Sequence, residues 1–401
     1  MTDRGITVPL GFRAAGIHSG IKRRRADLAI VASDFPCAVA GVFTTNRVKA
    51  APVRYSLEVV GRGQAQAIVA NSGNANACTG AQGQRDAAEM ARLAAEALAI
   101  RPQEVLVAST GIIGQPLPME ALRTGIPRAC AQLERAGAPA AEAILTTDSG
   151  PKTASTTLEV GGSELRIGGM AKGAGMIHPR LATTLCFLTT DATVSPDCLD
   201  AVLRGAVARS FNRITVDGDT STNDCILILA NGAAGGDPIT GGAALGRFEA
   251  SLHEVTSDLA EQIVRDGEGA TKVVEIRVTG AASDADAERV AYRLANSLLV
   301  KTALHGAEPN WGRMMAALGS AHAEVSEDLV QIHIGSAHVV RNGLGVADSL
   351  SAATAELLGT EVDLHIELGL GEGEAAVLTC DLSEEYVRIN GSYAAESGVV
   401  S

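Results

Sequence analysis

Aromatic side chains are scarce in this sequence: six Phe, four Tyr and one Trp among 401 residues. Recognition by base stacking is therefore not its theme. Positive charge is also in short supply, 33 Lys and Arg against 46 Asp and Glu, for a formal net charge of −13. A nucleic acid or an anionic membrane calls for a basic face, so neither is expected as a partner. No apolar run approaches the roughly 20 residues of a membrane span. The opening MTDRGITVPLGFRAAG lacks the charged-then-apolar order of a signal peptide. Cys37, Cys78, Cys130, Cys186, Cys198, Cys225 and Cys380 are odd in number, scattered and without a CxxC pair. They read as free thiols of a reducing compartment. The eight histidines form no HExxH and no Cys/His cluster at ligand spacing, so no metal is expected. These absences together describe a cytoplasmic globular protein.

What is present is a 46% hydrophobic chain, long enough for two or three domains and a substantial core. Strand-like runs ADLAIVAS (from Ala26), CAVAGVFTT (from Cys37), QAIVANSG (from Gln66) and EVLVAST (from Glu104) alternate with helical patterns. RDAAEMARLAAEALAI, residues 85–100, carries apolar side chains at helical spacing. Ser195-Pro196-Asp197 predicts a helix start, with a hydroxyl N-cap, proline at the first position and an acid in the first turn. That helix should run to about Ser210, and another should span 246–265. The last 130 residues mix strands (TKVVEIRVTG, DLVQIHIG, EVDLHIELG, AAVLTCDL) with helices near 284–297 and 349–358. Such alternation suggests an α+β layered protein. The glycine-rich segment 161–175 is the best candidate for an internal boundary. The single basic cluster, Lys22-Arg23-Arg24-Arg25, is followed by Asp27 and reads as a solvated loop.

The chemistry is sought in the segment GGMAKGAGMIHPRLATTLCFLTTDA, residues 168–192. It is neither a GxxxxGK[ST] nor a GxGxxG loop. Ser149 and Lys152 match SxxK, but Pro151 and the strand-like TASTTLEV deny the helix that this pair needs. Asp148-Ser149-Gly150 has no second copy to make an aspartic dyad. Thr183 is the strongest nucleophile candidate. Its base would be its own α-amine, whose pKa of about 8 leaves a neutral fraction near pH 7. That amine exists only after scission of the Ala182–Thr183 bond, which the same hydroxyl could perform. LATTLCFL also reads as a β-branched core strand, and the pattern alone favours that reading. Either attack creates an oxyanion, and Thr110 and Gly111 in VLVASTGIIG are the best donors. Lys172 could meet a carboxylate, Glu268 in DGEGATK an ammonium, and PNWGR (309–313) offers Asn310, Trp311 and Arg313.

Taken together, these stretches resemble the ornithine acetyltransferase family, also called glutamate N-acetyltransferase. The likeness rests on AGVFTTNRVKAAPV, NSGNANACTG (71–80), STGIIGQPLP (109–118), LTTDSGPK (145–152), the 168–192 segment, SFNRITVDGDTSTND (210–224), DGEGATK (266–272), VKTALHGAEPNWGR (300–313) and DLSEEYVRINGSY (381–393). That many motifs in order reverse the odds on Thr183. The resemblance implies an α-β-β-α sandwich related to N-terminal-nucleophile hydrolases, with a smaller C-terminal α/β part. It implies self-cleavage between Ala182 and Thr183, giving an α chain of 1–182 and a β chain of 183–401 assembled as α2β2. Thr183 would take acetyl from N-acetylornithine and pass it to glutamate by a ping-pong route. Thr110 and Gly111 fall on the oxyanion-hole pair, and Thr146, Lys172, Thr183, Glu268 and Asn390 on substrate contacts. No cofactor is implied, although some members also accept acetyl-CoA, and one branch serves secondary-metabolite pathways. Two features depart from the family pattern: Ala395 replaces a hydroxyl residue that contacts substrate, and HPRLATTL stands where many members have APNMATML, so that His178 and Arg180 are expected to alter the pocket rim or the cleavage rate. An autoproteolytic amidase or aminopeptidase on the same scaffold is the alternative, and an uncleaved binding protein a third reading.

Overall fold

The computed structural model describes residues 5–178 and 184–396. An eight-stranded sheet contains β1 (Phe12–Ile17), β2 (Leu28–Phe43), β3 (Gln64–Asn74), β4 (Val105–Ile112), β5 (Lys152–Val160), β6 (Ser163–Lys172), β7 (Leu185–Thr190) and β8 (Cys225–Ala230). Its order is β4-β3-β2-β8-β7-β6-β5, with β1 paired to β2. Six helices accompany it: α1 (Ala51–Val60), α2 (Gly80–Leu98), α3 (Met119–Cys130), α4 (Ala138–Ala143), α5 (Pro196–Arg209) and α6 (Gly242–Arg265).

The two runs ADLAIVAS and CAVAGVFTT, read as separate strands, are one. Leu28–Ala32 pairs with β1 and β3, the register jumps before Cys37, and Ala38–Phe43 pairs with β8. An interruption of this kind bends a strand and sharpens its twist. The sheet thereby doubles over on β2 into two facing leaves, and side-chain alternation sorts the layers. On β3 and β4, Ile68, Ala70, Leu106 and Ala108 enter the same apolar cluster as Leu185, Phe187, Leu227 and Leu229 of β7 and β8. Their neighbours Val69 and Val107 face Met90 and Ala91 of α2 and Leu122 and Ile126 of α3. Cys186, Leu188, Ile226 and Ile228 face α5 and α6. This is the expected α-β-β-α sandwich. Strands buried on both faces must be apolar throughout, which is why β7 and β8 read as unbroken hydrophobic runs.

The predicted starts and faces are there. Ser195 Oγ accepts from the Cys198 N–H at the head of α5, and α2 buries Ala87, Met90, Ala91, Ala94 and Ala95 along one stripe. Segment 161–175 is not a boundary. Residues 161–162 turn the β5–β6 hairpin and 163–172 are a paired interior strand. The change of body comes later, at β9 (Val273–Ala281). This strand joins β10 (Gln331–Ile334), β11 (Ala337–Arg341), β12 (Leu344–Gly345), β13 (Glu361–Glu367) and β14 (Gly373–Cys380) in a second, six-stranded sheet. α7 (Asp284–Ala295), α8 (Leu298–His305), α9 (Trp311–Gly319) and α10 (Leu350–Leu357) belong to this smaller C-terminal α/β part, which has its own core. α11 (Glu384–Glu396) follows. Among the described residues, no helix is long and apolar enough to cross a membrane.

Candidate active site

At one end of the sandwich lies a cavity of about 320 Å3. Thr110, Gly111, Thr146, Lys172, Glu268 and Asn390 all line it, so every described residue of the predicted site meets there. Ala182 and Thr183 lie outside the described residues. The chain resumes at Thr184, whose N–H donates to Asp224 Oδ1 (3.0 Å) and whose carbonyl accepts from the Cys225 N–H (3.1 Å). β7 is thus registered against β8 from its first residue.

Thr110 and Gly111 sit at the end of β4, where its pairing with β3 becomes irregular at Gly73 and Asn74. Gly111 has φ +131°, and a Cβ there would stand 2.2 Å from the Gly73 carbonyl carbon. Only glycine lets the two strand ends approach this closely. Asn223, just ahead of β8, ties the leaves together: its side-chain amide donates to the carbonyls of Ala75 (2.6 Å) and Ser109 (2.9 Å).

Lys172 ends β6 almost fully buried, with Nζ 3.4 Å from the Thr146 hydroxyl. Burial pulls its ammonium below the ordinary lysine value, and Asp148, Asp224 and Glu268 oppose that pull. Asp224 is wholly buried beside it. Burial pushes this carboxyl well above the usual range, with Lys172 opposing, and its Oδ2 has no hydrogen-bond partner among the described residues. Glu268 reaches the cavity because position 175 is glycine. A Cβ there would meet the Glu268 carboxylate at 2.4 Å. The Asn390 amide donates to Glu268 Oε2 (2.7 Å). Asn390 is placed by α11, which is held through Tyr386 to Asp217 (3.2 Å) and Ser383 to the Gly269 carbonyl (2.6 Å). The cavity therefore offers a cation at one side, a carboxylate at the other, and a Thr-Gly strand end between the two leaves.

Asp148 holds this arrangement in place. It accepts from Lys152 Nζ (2.7 Å), the Gly173 N–H (2.6 Å) and the Thr146 N–H (2.9 Å). Burial raises its pKa, but Lys152 and Lys172 outweigh that and bring it down to about 2. A depressed carboxyl stabilises the fold fully above its unfolded pKa of about 3.9 and ceases to do so as pH falls through the folded value. Asp148→Asn should lower unfolding free energy by about 3–5 kcal/mol near neutrality, the usual cost of breaking a buried ion pair. The gap to wild type should narrow between about pH 4 and pH 2. Denaturant titrations across that range measure both effects.

Other sequence candidates lie elsewhere. Ser149 Oγ and Lys152 Nζ both bond Asp266, and Lys152 opens a strand, so the SxxK pair makes no nucleophile. Asn310 caps α9 through the Arg313 N–H (3.1 Å), and Arg313 Nη1 donates to the Leu299 carbonyl (3.0 Å). None of PNWGR lines the cavity. His178 lies edge-on to Tyr292, with ring centroids 6.1 Å apart. Arg180 falls outside the described residues, and Ala395 lies near the end of α11. A larger groove of about 550 Å3 between the two bodies is lined by Arg209, Arg213, Glu261 and Arg277 and contains none of the predicted site residues. Sequence reasoning missed Asp148 as a support, and missed Asn223, Ser221 and Asp224, although the quoted DTSTND run contains the last three. A dense polar run directly ahead of an apolar strand was the available signal.

Comparison with known proteins gives a consistent result. The ArgJ family profile matches residues 13–395. The arginine biosynthesis bifunctional protein ArgJ of Symbiobacterium thermophilum is 54% identical over 394 residues, covering 97% of this chain and 98% of that protein. The protein of the same name from Geobacter sulfurreducens is 49% identical over 387 residues, covering 96% and 98%. Among solved structures, the arginine biosynthesis bifunctional protein argJ of Bacillus halodurans matches with a TM-score of 0.50 and 42% identity. That match covers 52% of this chain and 98% of the solved one.

Proposed function

This chain belongs to the ArgJ family, and from that premise we propose that it moves acetyl from N-acetylornithine to glutamate through an ester on Thr183. The reaction class is acetyl transfer in arginine biosynthesis. The observation that carries the finer reading is the convergence of Thr110, Gly111, Thr146, Lys172, Glu268 and Asn390 on one cavity, while β7 begins at Leu185, two residues after Thr183.

In the first step Thr183 Oγ attacks the Ala182 carbonyl, its C–N bond breaks, and water hydrolyses the resulting ester. Chains 1–182 and 183–401 result, and Thr183 gains a free amine. The solved relative's chain, spanned almost fully by 52% of this one, supports a mature chain of about that length. In the second step the amine takes the Oγ proton as the hydroxyl attacks the acetyl carbon of N-acetylornithine. The tetrahedral oxyanion is met by the Thr110 hydroxyl and the Gly111 N–H. The amide C–N bond breaks, the proton passes to the departing α-amine, and ornithine leaves. Glutamate then attacks the ester through its own α-amine, giving N-acetylglutamate and free Thr183. Lys172 with Thr146 receives the carboxylate of either amino acid, and Glu268 with Asn390 an ammonium.

The relatives' names are bifunctional, and we take the second activity here to be acetylation of glutamate from acetyl-CoA. An α2β2 assembly and a cytoplasmic setting complete the proposal; seven unpaired cysteines support the latter. The test supplies acetyl-labelled N-acetylornithine with glutamate and follows the label. The expected product is N-acetylglutamate, formed with parallel kinetics lines that mark a ping-pong route. Dominant release of free acetate would instead make the protein a hydrolase.

A further inference from the structure

Three strand ends meet in one row beside the cavity. Lys172 closes β6 and pairs with Leu185 at the start of β7, which pairs in turn with Cys225 at the start of β8. Directly ahead of Leu185 and Cys225 stand Thr184 and Asp224. The two oxygens of the buried Asp224 carboxyl are unequally used. Oδ1 accepts from the Thr184 N–H (3.0 Å), whereas Oδ2 has no hydrogen-bond partner among the described residues. Ser221, which lines the cavity, adjoins the carboxyl, and Lys172 is the cation that opposes its burial. Lys172 is faced in turn by Asp148, Lys152 and Glu268. On β8 the Cys225 thiol feels both Asp224 and Lys172.

A wholly buried carboxyl oxygen without a donor is costly, so its retention calls for a donor that arrives at another stage. The Thr184 nitrogen held by Oδ1 is bonded to the carbonyl carbon of residue 183. Only that carbon and the Cα separate it from the α-nitrogen of Thr183. A carboxyl that grips one nitrogen of such a pair has its second oxygen free for the other. In the uncut chain that α-nitrogen is an amide. Scission makes it an amine, which gains protons to donate, and a positive charge when it is protonated, next to the idle oxygen.

We infer that Asp224 is a positioning residue whose Oδ2 receives the α-amine of Thr183 after scission, turns it toward the Thr183 hydroxyl and serves as its counter-ion. The inference rests on the cut between Ala182 and Thr183 proposed above. Protons balance: hydrolysis of the ester frees one proton with the Ala182 carboxylate, the amine takes it up, and Asp224 releases its own as it ionises. Burial favours the neutral acid at 224 while the chain is whole, and a cation beside it reverses that preference.

The experiment compares processed wild type with processed Asp224→Asn, following transfer from N-acetylornithine to glutamate from about pH 5 to about pH 10, where the acid limb of kcat/KM reports the base of the free enzyme. Asparagine keeps the Thr184 bond through Oδ1 and carries no charge into a buried site, so the variant should fold. Its amide N–H groups face the amine and engage the lone pair, so kcat on the plateau should fall about tenfold or more. Without the carboxylate the ammonium loses its stabilising charge, so the acid limb should move to lower pH by about one unit or more. A lower plateau with an unmoved limb would be a structural effect alone and overturns the assignment. A second measurement needs no change at 224: infrared difference spectra between processed wild type and uncut Thr183→Ala at neutral pH. A protonated-carboxyl band should be present in the uncut chain and absent from the cut one; the same band in both also overturns the assignment. Either contrary result, from a protein that is cut at Thr183 and active, leaves the threonine-ester reading standing. Full transfer by an uncut wild-type chain overturns both, because no α-amine then exists for Asp224 to hold.

Discussion

Thr183→Ala should leave residues 1–401 as a single uncut chain and should lower acetyl transfer by roughly four orders of magnitude or more. Intact-mass analysis and a coupled assay on the same preparation read both. In the proposed mechanism one substitution has two effects because one hydroxyl makes both attacks: first on the Ala182 carbonyl, then on the acetyl donor once its own amine is free. Thr184→Ala is the control that separates neighbours. The hydrogen bonds of Thr184 to Asp224 and Cys225 run through its backbone, so alanine keeps them, and this variant should still be cut into 1–182 and 183–401. A whole chain from Thr184→Ala and a processed one from Thr183→Ala would move the nucleophile by one residue.

The next largest effect is expected at the end of β4. Gly111→Ala puts a methyl group 2.2 Å from the Gly73 carbonyl carbon and 2.5 Å from the Asn74 nitrogen, at a φ of +131° that alanine disfavours. Backbone, not a flexible side-chain tip, stands in the way, so the strand end must shift and carry the Gly111 N–H with it. Losing one oxyanion donor typically costs about 10²–10³ in kcat. Scission should slow by a similar factor, because it passes through the same kind of tetrahedral oxyanion. Thr110→Val and Thr110→Ser separate hydroxyl from packing. Thr110 is buried and its hydroxyl holds no hydrogen bond among the described residues. Valine should slow both reactions about a hundredfold, whereas serine should stay near wild type. Equal rates for all three would remove Thr110 from the chemistry.

Legibility in the sequence followed the kind of signal. Period was readable: the buried stripe of α2, the doubly buried β7 and β8, and the Ser195 cap of α5 all express repeats or caps that a short window contains. The fold of the sheet upon itself was not. Asp34, Phe35 and Pro36 are exposed between the halves of β2 and look like a turn, yet pairing partners on both sides keep the strand continuous. The glycine-rich stretch misled for a related reason. Gly168 and Gly169 are glycines of close packing, where a Cβ would strike the Gly5 carbonyl oxygen at 2.1 Å or Leu188 at 2.6 Å, not glycines of a linker. α8 and α9 went unforeseen because each is short: Ser297, the cap of α8, was read as the end of the helix near 284–297, and Asn310, the cap of α9, lies in a segment that drew attention as a possible site. For the cavity, Thr110, Gly111, Thr146, Lys172, Glu268 and Asn390 came from long motifs in the right order. Asp148, Asn223 and Asp224 lie in such motifs too, but their supporting roles stayed hidden because each also touches a partner 25 to 148 positions away in sequence. The Asp148 and Asp224 bonds exist only once β5 pairs with β6 and β7 with β8, and the Asn223 bond only once the two leaves face each other.

The most direct test gives the processed protein acetyl-labelled N-acetylornithine with no acceptor, stops the reaction at once, and weighs the chains. The chain beginning Thr183-Thr184-Leu185 should carry one acetyl group, with an equal amount of ornithine released, and should lose it when glutamate is added. Full-rate transfer by an unbroken, unacetylated polypeptide would contradict the threonine-ester route outright.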